Sequence, residues 1–268
     1  MRFARIGALI CLVLFAITVS AQVLPLGPPP PLAAPVRDAQ AVAVVQNAIN
    51  ALGGALIGQQ QTWLVQGSVT GSPNAPAPGG TFTWTAAGAE YRFEGATSSG
   101  NSLFATGHGN PTQSTSGSSR NVSSYVSRAM FVPALVGPVL LQELQSQSYS
   151  VRFGGKNTIG SEPVLIVTTA AETTYPDNVI TPQTWYFDAS SGLPVRVDFR
   201  SPIPKYPAGY VTERFDYSDF RAIAGTMFPF QIGLSIEGQS LQTFSVKTIL
   251  VNASVAPSMF DAPAGGVQ

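Results

Sequence analysis

From Trp185 to Pro263 the hydrophobic and polar positions alternate as they do in consecutive antiparallel strands joined by tight turns. Trp185-Tyr-Phe-Asp188 leads into Ala189-Ser-Ser-Gly-Leu-Pro194, a turn, and then into Val195-Arg-Val-Asp-Phe-Arg200. Val195, Val197 and Phe199 fall on one face of that strand; Arg196, Asp198 and Arg200 fall on the other. This period of two belongs to a sheet with one buried side and one wet side. Further strands are expected at Tyr210–Phe220, Met227–Glu237 and Gln239–Leu250, the last two separated by little more than Gly238. A curved, one-sided sheet must cover its apolar face with something, a helix or a ligand.

Upstream, Val42, Val45, Ile49 and Leu52 mark the stripe of a helix over Val36–Leu52, favoured at its start by Asp38 and ended by Gly53-Gly54. Strands resume at Thr62–Thr70, Thr81–Ala87, Glu90–Gly95 and Asn101–Thr106, with Phe82 and Trp84 sharing a face, as do Tyr91 and Phe93. Gly71–Gly80 reads as a mobile proline-glycine loop and Gly107–Asn121 as a polar loop. Val122–Gln145 is helical in pattern but apolar on nearly every side, and Pro133 and Pro138 are expected to break it into short pieces. A helix of this kind is a buried core element or a lid over a cavity. Strands at Tyr149–Phe153 and Val164–Thr169 bring the expected total to roughly 10–12, with two helical regions.

The N-terminus changes the picture from a cytosolic chain to an exported one. Arg2 and Arg5 precede an apolar run from Gly7 to Val19 and a small-residue cleavage site at Val19-Ser-Ala21. That run falls short of the ~20 residues of a bilayer span. A cleavable signal peptide over residues 1–21, a proline-rich spacer over 22–35 and a single domain over 36–268 follow, in a periplasmic or secreted protein with no integral membrane span after cleavage. Cleavage removes the one cysteine, Cys11, so the exported chain has neither a disulfide nor a thiolate ligand. It also removes two of 14 basic residues and none of 14 acidic ones, leaving 12 − 14 = −2. A surface so sparsely charged offers no footprint for nucleic acid.

Candidate chemistry is thin. His108, the one histidine, sits in a Gly-His-Gly loop without a second imidazole for a zinc site, and no Gly-x-Ser-x-Gly elbow occurs. Asp216 and Asp219 are spaced to point to opposite faces of a strand, and neither they nor Glu213 or Glu237 form a recognisable glycosidase pair. Gly154-Gly155-Lys156 lacks the rest of a phosphate-binding loop. The expectation is therefore a protein that is not an enzyme and carries no cofactor and no metal. What remains is apolar shape: the strand aromatics exceed what a thin sheet-plus-helix core requires, which suits a concave sheet holding an apolar guest.

Two groups of residues carry a resemblance. Ala48-Ile-Asn-Ala-Leu-Gly-Gly54 ahead of Trp63-Leu-Val-Gln-Gly67 resembles the start of the LolA-type outer-membrane lipoprotein carriers. So do Trp185-x-Phe-Asp188 with Gly192-Leu-Pro194, Tyr217-Ser-Asp-Phe-Arg221, Gly225-Thr-Met-Phe-Pro229, Asn252 and Phe260-x-x-Pro263. The resemblance implies a mainly β (α+β) fold, an incompletely closed antiparallel β-barrel whose helices cover or plug the concave face. It also implies a binding or carrier protein for a lipid or acylated protein, with an envelope protein as a further partner. Trp63, Phe82, Trp84, Tyr91, Phe93, Phe104, Met130, Phe131, Leu135, Leu140, Trp185 and Phe187 are the expected walls of the apolar-ligand cavity. An envelope structural or stress-sensing protein of the same fold, with a filled interior, is the alternative; a secreted hydrolase using His108 is a third.

Overall fold

A computed structural model describes residues 34–72, 79–88, 90–97, 100–105, 112–115, 118–121, 136–172, 182–203 and 206–261, side chains at 102, 104, 112–121 and 201–209 excepted. The expected signal peptide, nearly all of the spacer, Pro133, and His108, Met130, Phe131 and Leu135 lie outside the described residues.

Among the described residues, thirteen strands form one sheet. The first meander comprises β1 (Thr62–Gly71), β2 (Gly80–Ala87), β3 (Glu90–Thr97), β4 (Gly100–Ala105), β5 (Thr112–Thr115) and β6 (Ser118–Asn121). The second comprises β7 (Tyr149–Ile159), β8 (Glu162–Ala171), β9 (Gln183–Asp188), β10 (Pro194–Ile203), β11 (Tyr206–Ile223), β12 (Thr226–Ile236) and β13 (Gln239–Val251). Strand order is β6-β5-β4-β3-β2-β1-β13-β12-β11-β10-β9-β8-β7, so the two meanders join where β1 pairs antiparallel with β13. β6 and β7 are the two edges, and the barrel is incompletely closed.

The count exceeds the expected 10–12 because β5 and β6 lie inside the segment read as a polar loop. Thr112-Gln-Ser-Thr115 and Ser118-Ser-Arg-Asn121 have no apolar alternation, so their pairing is a backbone matter invisible to a hydrophobic pattern. The hairpins of the second meander follow their turn residues. Ala224-Gly225 and Glu237-Gly238 have φ of 50°, 80° and 48°, 76°, the doubly positive pair that matches strand twist in a two-residue loop. Val195 does not share the face of Val197 and Phe199 as expected. The ladder between β9 and β10 slips between Pro194 and Arg196, so Pro194, Val197 and Phe199 are buried and Val195 is half-buried.

Helix α1 (Ala39–Leu52) starts later than the pattern suggested. Asp38 is its N-cap, accepting from the Gln40 N–H at 2.8 Å, while Val36–Asp38 is drawn off to edge strand β7. There Arg37 and Val151 form a parallel bridge, and the Asp38 N–H donates to Val151 O at 2.9 Å. Gly53, at φ 133°, ends the helix by donating to Asn50 O and Ile49 O. Helix α2 (Val136–Gln145) contains Pro138 without breaking. Nor is this stretch surrounded on all sides: Gln142 and Gln145 are exposed while Val136, Val139, Leu140 and Glu143 are buried, the i, i+3, i+4, i+7 stripe of a helix lying on the sheet. The Arg37 guanidinium donates to Leu144 O, Ser146 O and Tyr149 O, holding the C-terminal end of α2 against β7. α1 packs on β7, β8, β12 and α2, and the core lies between these helices and the concave face.

Candidate functional site

The concave face carries two aromatic zones within one continuous core. On β2, β3 and β13, Phe82 and Trp84 pack at 4.4 Å between ring centroids, with Phe244 at 5.4 Å from Phe82 and 5.2 Å from Trp84, and Phe93 at 5.4 Å from Trp84. Gly67 on β1 makes room for this group: a Cβ there would come within 2.7 Å of the Phe82 ring and 2.2 Å of Ser245 O. On β9 and its neighbours, Trp185 and Phe187 stack at 6.4 Å and Phe199 stacks on Phe215 at 5.7 Å. Tyr217 is buried in the same layer, and burial pushes its phenol well above the usual range, so it stays neutral.

Polar atoms on this face divide into satisfied and unsatisfied ones. Trp63 Nε1 donates to Gln60 Oε1 at 3.1 Å, and Gln60 Nε2 donates to Thr226 Oγ1 at 2.6 Å, a closed chain. Trp84 Nε1, Trp185 Nε1 and Gln183 Oε1 are buried without a hydrogen-bond partner. Under α2, Thr169 Oγ1 donates to Glu143 Oε2 at 2.8 Å, and Glu143 is only 1% exposed. Beside Trp63, a cleft of about 420 Å³ opens between Ile57, Gly58, Gln60 and the α2 residues Pro138, Leu141, Gln142 and Gln145. The convex face is saline and wet: Arg214 pairs with Asp198 at 2.7 and 2.8 Å, and Arg196 with Asp216 at 2.6 Å. Asp219 pairs separately with Arg221, so the two aspartates do not meet. Among the described residues, no three histidine, cysteine or acidic side chains come together to hold a metal.

Of the expected cavity walls, Trp63, Phe82, Trp84, Tyr91, Leu140, Trp185 and Phe187 are buried members of the one core, and Phe93 packs half-buried against it. Phe104 lies on β4 opposite Phe93, with its side chain outside the described residues. Sequence reasoning missed Glu143, Thr169 and Gln183. The stripe Val136, Val139, Leu140 carries a usable signal, because Glu143 completes its period at i+7.

No protein-family model matches the chain, and no curated protein matches it in sequence. Solved structures do match its architecture. A DUF1329 family protein from Desulfovibrio piger is 12% identical with a TM-score of 0.54, over 83% of this chain and 97% of that one. A LolA superfamily protein from Nitrosomonas europaea is 11% identical with a TM-score of 0.54, over the same shares. The chain has the LolA-like fold. Several residues that resemble the LolA-type pattern hold that fold's turns: Gly192 and Gly225 at φ 75° and 80°, and Asn252 at φ 56°. Asn252 Oδ1 also accepts from the Gln61 N–H at 2.9 Å, tying the end of β13 to the start of β1. Their work is architectural.

Proposed function

We propose that this protein is an exported, non-enzymatic carrier that holds an acyl chain or another apolar ligand against the concave face of its open barrel. One observation carries the reading. The aromatic group of Phe82, Trp84, Phe93 and Phe244 lies on β2, β3 and β13, away from the strands on which α1 and α2 chiefly pack. An aromatic floor of tilted and edge-on rings beside a short helical cover suits a guest that slides under the cover. The LolA-like fold is in keeping with this, and so is the export signal expected over residues 1–21. The expected cavity walls Trp63, Phe82, Trp84, Tyr91, Phe93, Leu140, Trp185 and Phe187, with Phe104, Met130, Phe131 and Leu135, are the residues the ligand would touch. No helix among the described residues is long and apolar enough to cross a membrane.

A second reading, an envelope structural or sensing protein, is favoured by the packing itself: the buried residues form one continuous cluster. The two readings separate in a single titration. On the carrier reading the apolar dye 1-N-phenylnaphthylamine binds with micromolar affinity, about −8 kcal/mol, and a long-chain acyl competitor displaces it. Absence of dye binding, together with absence of co-purified lipid in native mass spectrometry, refutes the carrier reading.

A further inference from the structure

We infer that the row of buried polar side chains between α2 and the sheet is a polar subsite, built to hold a neutral hydrogen-bonding group of the apolar ligand that has both a donor and an acceptor, as a secondary amide or a hydroxyl does. The inference rests on the carrier reading and specifies which ligands it takes. Thr169 on β8 and Gln183 on β9 are directly opposed in register, and Trp185 is the next residue of β9 on the same face. Directly opposed side chains on one face of an antiparallel pair are neighbours. Glu143 reaches this row from α2 through its bond to Thr169, so the four side chains converge between helix and sheet. Gln183 is 4% exposed and Trp185 0%, yet Gln183 Oε1 and Trp185 Nε1 have no partner. A buried polar atom without a hydrogen bond is destabilising, and proteins retain few of them.

The two orphaned atoms are of opposite kind. Gln183 Oε1 needs a donor and Trp185 Nε1 needs an acceptor. A secondary amide has its N–H and C=O pointing in opposite directions, so one amide lying along the strand meets both. A hydroxyl can also give to one and take from the other. An ester has acceptors only and leaves Gln183 unsatisfied. A free carboxylate fails in the same way and must also lie near the Glu143 carboxyl. The aromatic residues around the subsite, Phe187 and Phe199 among them, supply the apolar walls for the attached chain.

The test is competition for bound 1-N-phenylnaphthylamine by three probes of one chain length: N-methylhexadecanamide, hexadecan-1-ol and methyl hexadecanoate. Wild-type protein should take the amide or the alcohol at least tenfold more tightly than the ester; which of the two leads separates an N-acyl source from a hydroxyl lipid. Gln183→Met keeps the side-chain length and removes the acceptor, and it should bring the preference to within about twofold by weakening amide and alcohol competition. Trp185→Phe removes the donor with an aromatic ring kept in place, and serves if Gln183→Met fails to fold. Equal competition by amide, alcohol and ester in wild type overturns the inference and assigns the two atoms to a buried water. Dye binding with no such preference leaves the carrier reading standing; no dye binding removes both.

Discussion

Replacing Gly67 by alanine adds one carbon where the structure has no room for it. Gly67 lies on the buried face of β1, opposite Phe82 on β2 and Val246 on β13, and the β1–β13 ladder shifts register between Gln66 and Gly67. The new Cβ would stand 2.2 Å from Ser245 O and 2.7 Å from two atoms of the Phe82 ring. The ring could move, but it is already 4.4 Å from Trp84 and 5.4 Å from Phe244 by centroids. The carbonyl belongs to a paired strand and can move only with its ladder. Overpacking of this kind costs about 1–3 kcal/mol, against which a less flexible unfolded chain returns about 0.4–1 kcal/mol. A net loss of about 1–2 kcal/mol should lower Tm by about 2–8 °C for a domain of this size. Urea unfolding followed by tryptophan fluorescence measures it directly, since Trp84 sits in the disturbed group. On the carrier reading, dye affinity should fall in the same variant. Gly67→Ala with stability within about 0.5 kcal/mol of wild type would refute the reasoning, because that is the range of an inconsequential surface change.

Other outcomes follow from single residues. Leu140→Glu, at a fully buried position of α2, should cost several kcal/mol or abolish folding, read by thermal unfolding, because it buries a charge without a partner. Arg37→Ala removes the donor to three carbonyls between the end of α2 and the start of β7 and should raise hydrogen exchange at Leu144–Ser148, with a loss of about 1–2 kcal/mol. Hydrogen bonds from Ser190 and Ser191 hold the Asp188 carboxyl down to about 2, from 3.8. Its folded value lies below its unfolded one, so its stabilisation is present above pH 3.8 and is lost as pH falls through 2, contributing about 1 kcal/mol after allowance for its exposure; Asp188→Ala should flatten that part of the acid-unfolding curve. His108→Ala should leave stability within about 0.5 kcal/mol of wild type, and loss of some detected activity in that variant would favour the hydrolase reading.

The second meander was legible because local and long-range signals agree there. Turn glycines stand at φ-positive positions, apolar residues alternate, and the strands found at Gln183–Asp188, Tyr206–Ile223 and Gln239–Val251 contain those expected. Where the pattern failed, a backbone effect had overridden it. Val195 was placed on the wrong face by a one-residue bulge, which flips every assignment on one side of it. β7, expected to end at Phe153, bulges between Phe153 and Gly155 and continues to Ile159. β5 and β6 leave no apolar trace at all.

The site was legible only in its apolar half. Burial of Trp63, Phe82, Trp84 and Trp185 follows from strand alternation, since each lies on an inward position whatever its partners. The polar half depends on register between distant strands: Thr169 meets Gln183 only because β8 and β9 pair as they do, and Glu143 joins them only because α2 lies across that row. A composition-led reading treats a glutamate and a glutamine as surface residues, and at most positions that is right. Here the same two residue types are buried in the fold, while Gln142 and Gln145, one residue before and two after Glu143, face solvent. A helix serving only as an apolar cover would be more stable with leucine at 143 and with nothing left unpaired beneath it. Glu143 above an unsatisfied Gln183 and Trp185 leaves packing and recognition as the two readings, and Glu143→Leu discriminates them. If the Glu143–Thr169 pair is not needed for packing, that variant should match or exceed wild-type stability once Thr169→Val accompanies it, with the preference for amide or alcohol, which Gln183 and Trp185 set, unchanged. If the row is structural, the double variant should lose stability and keep the same ligand order.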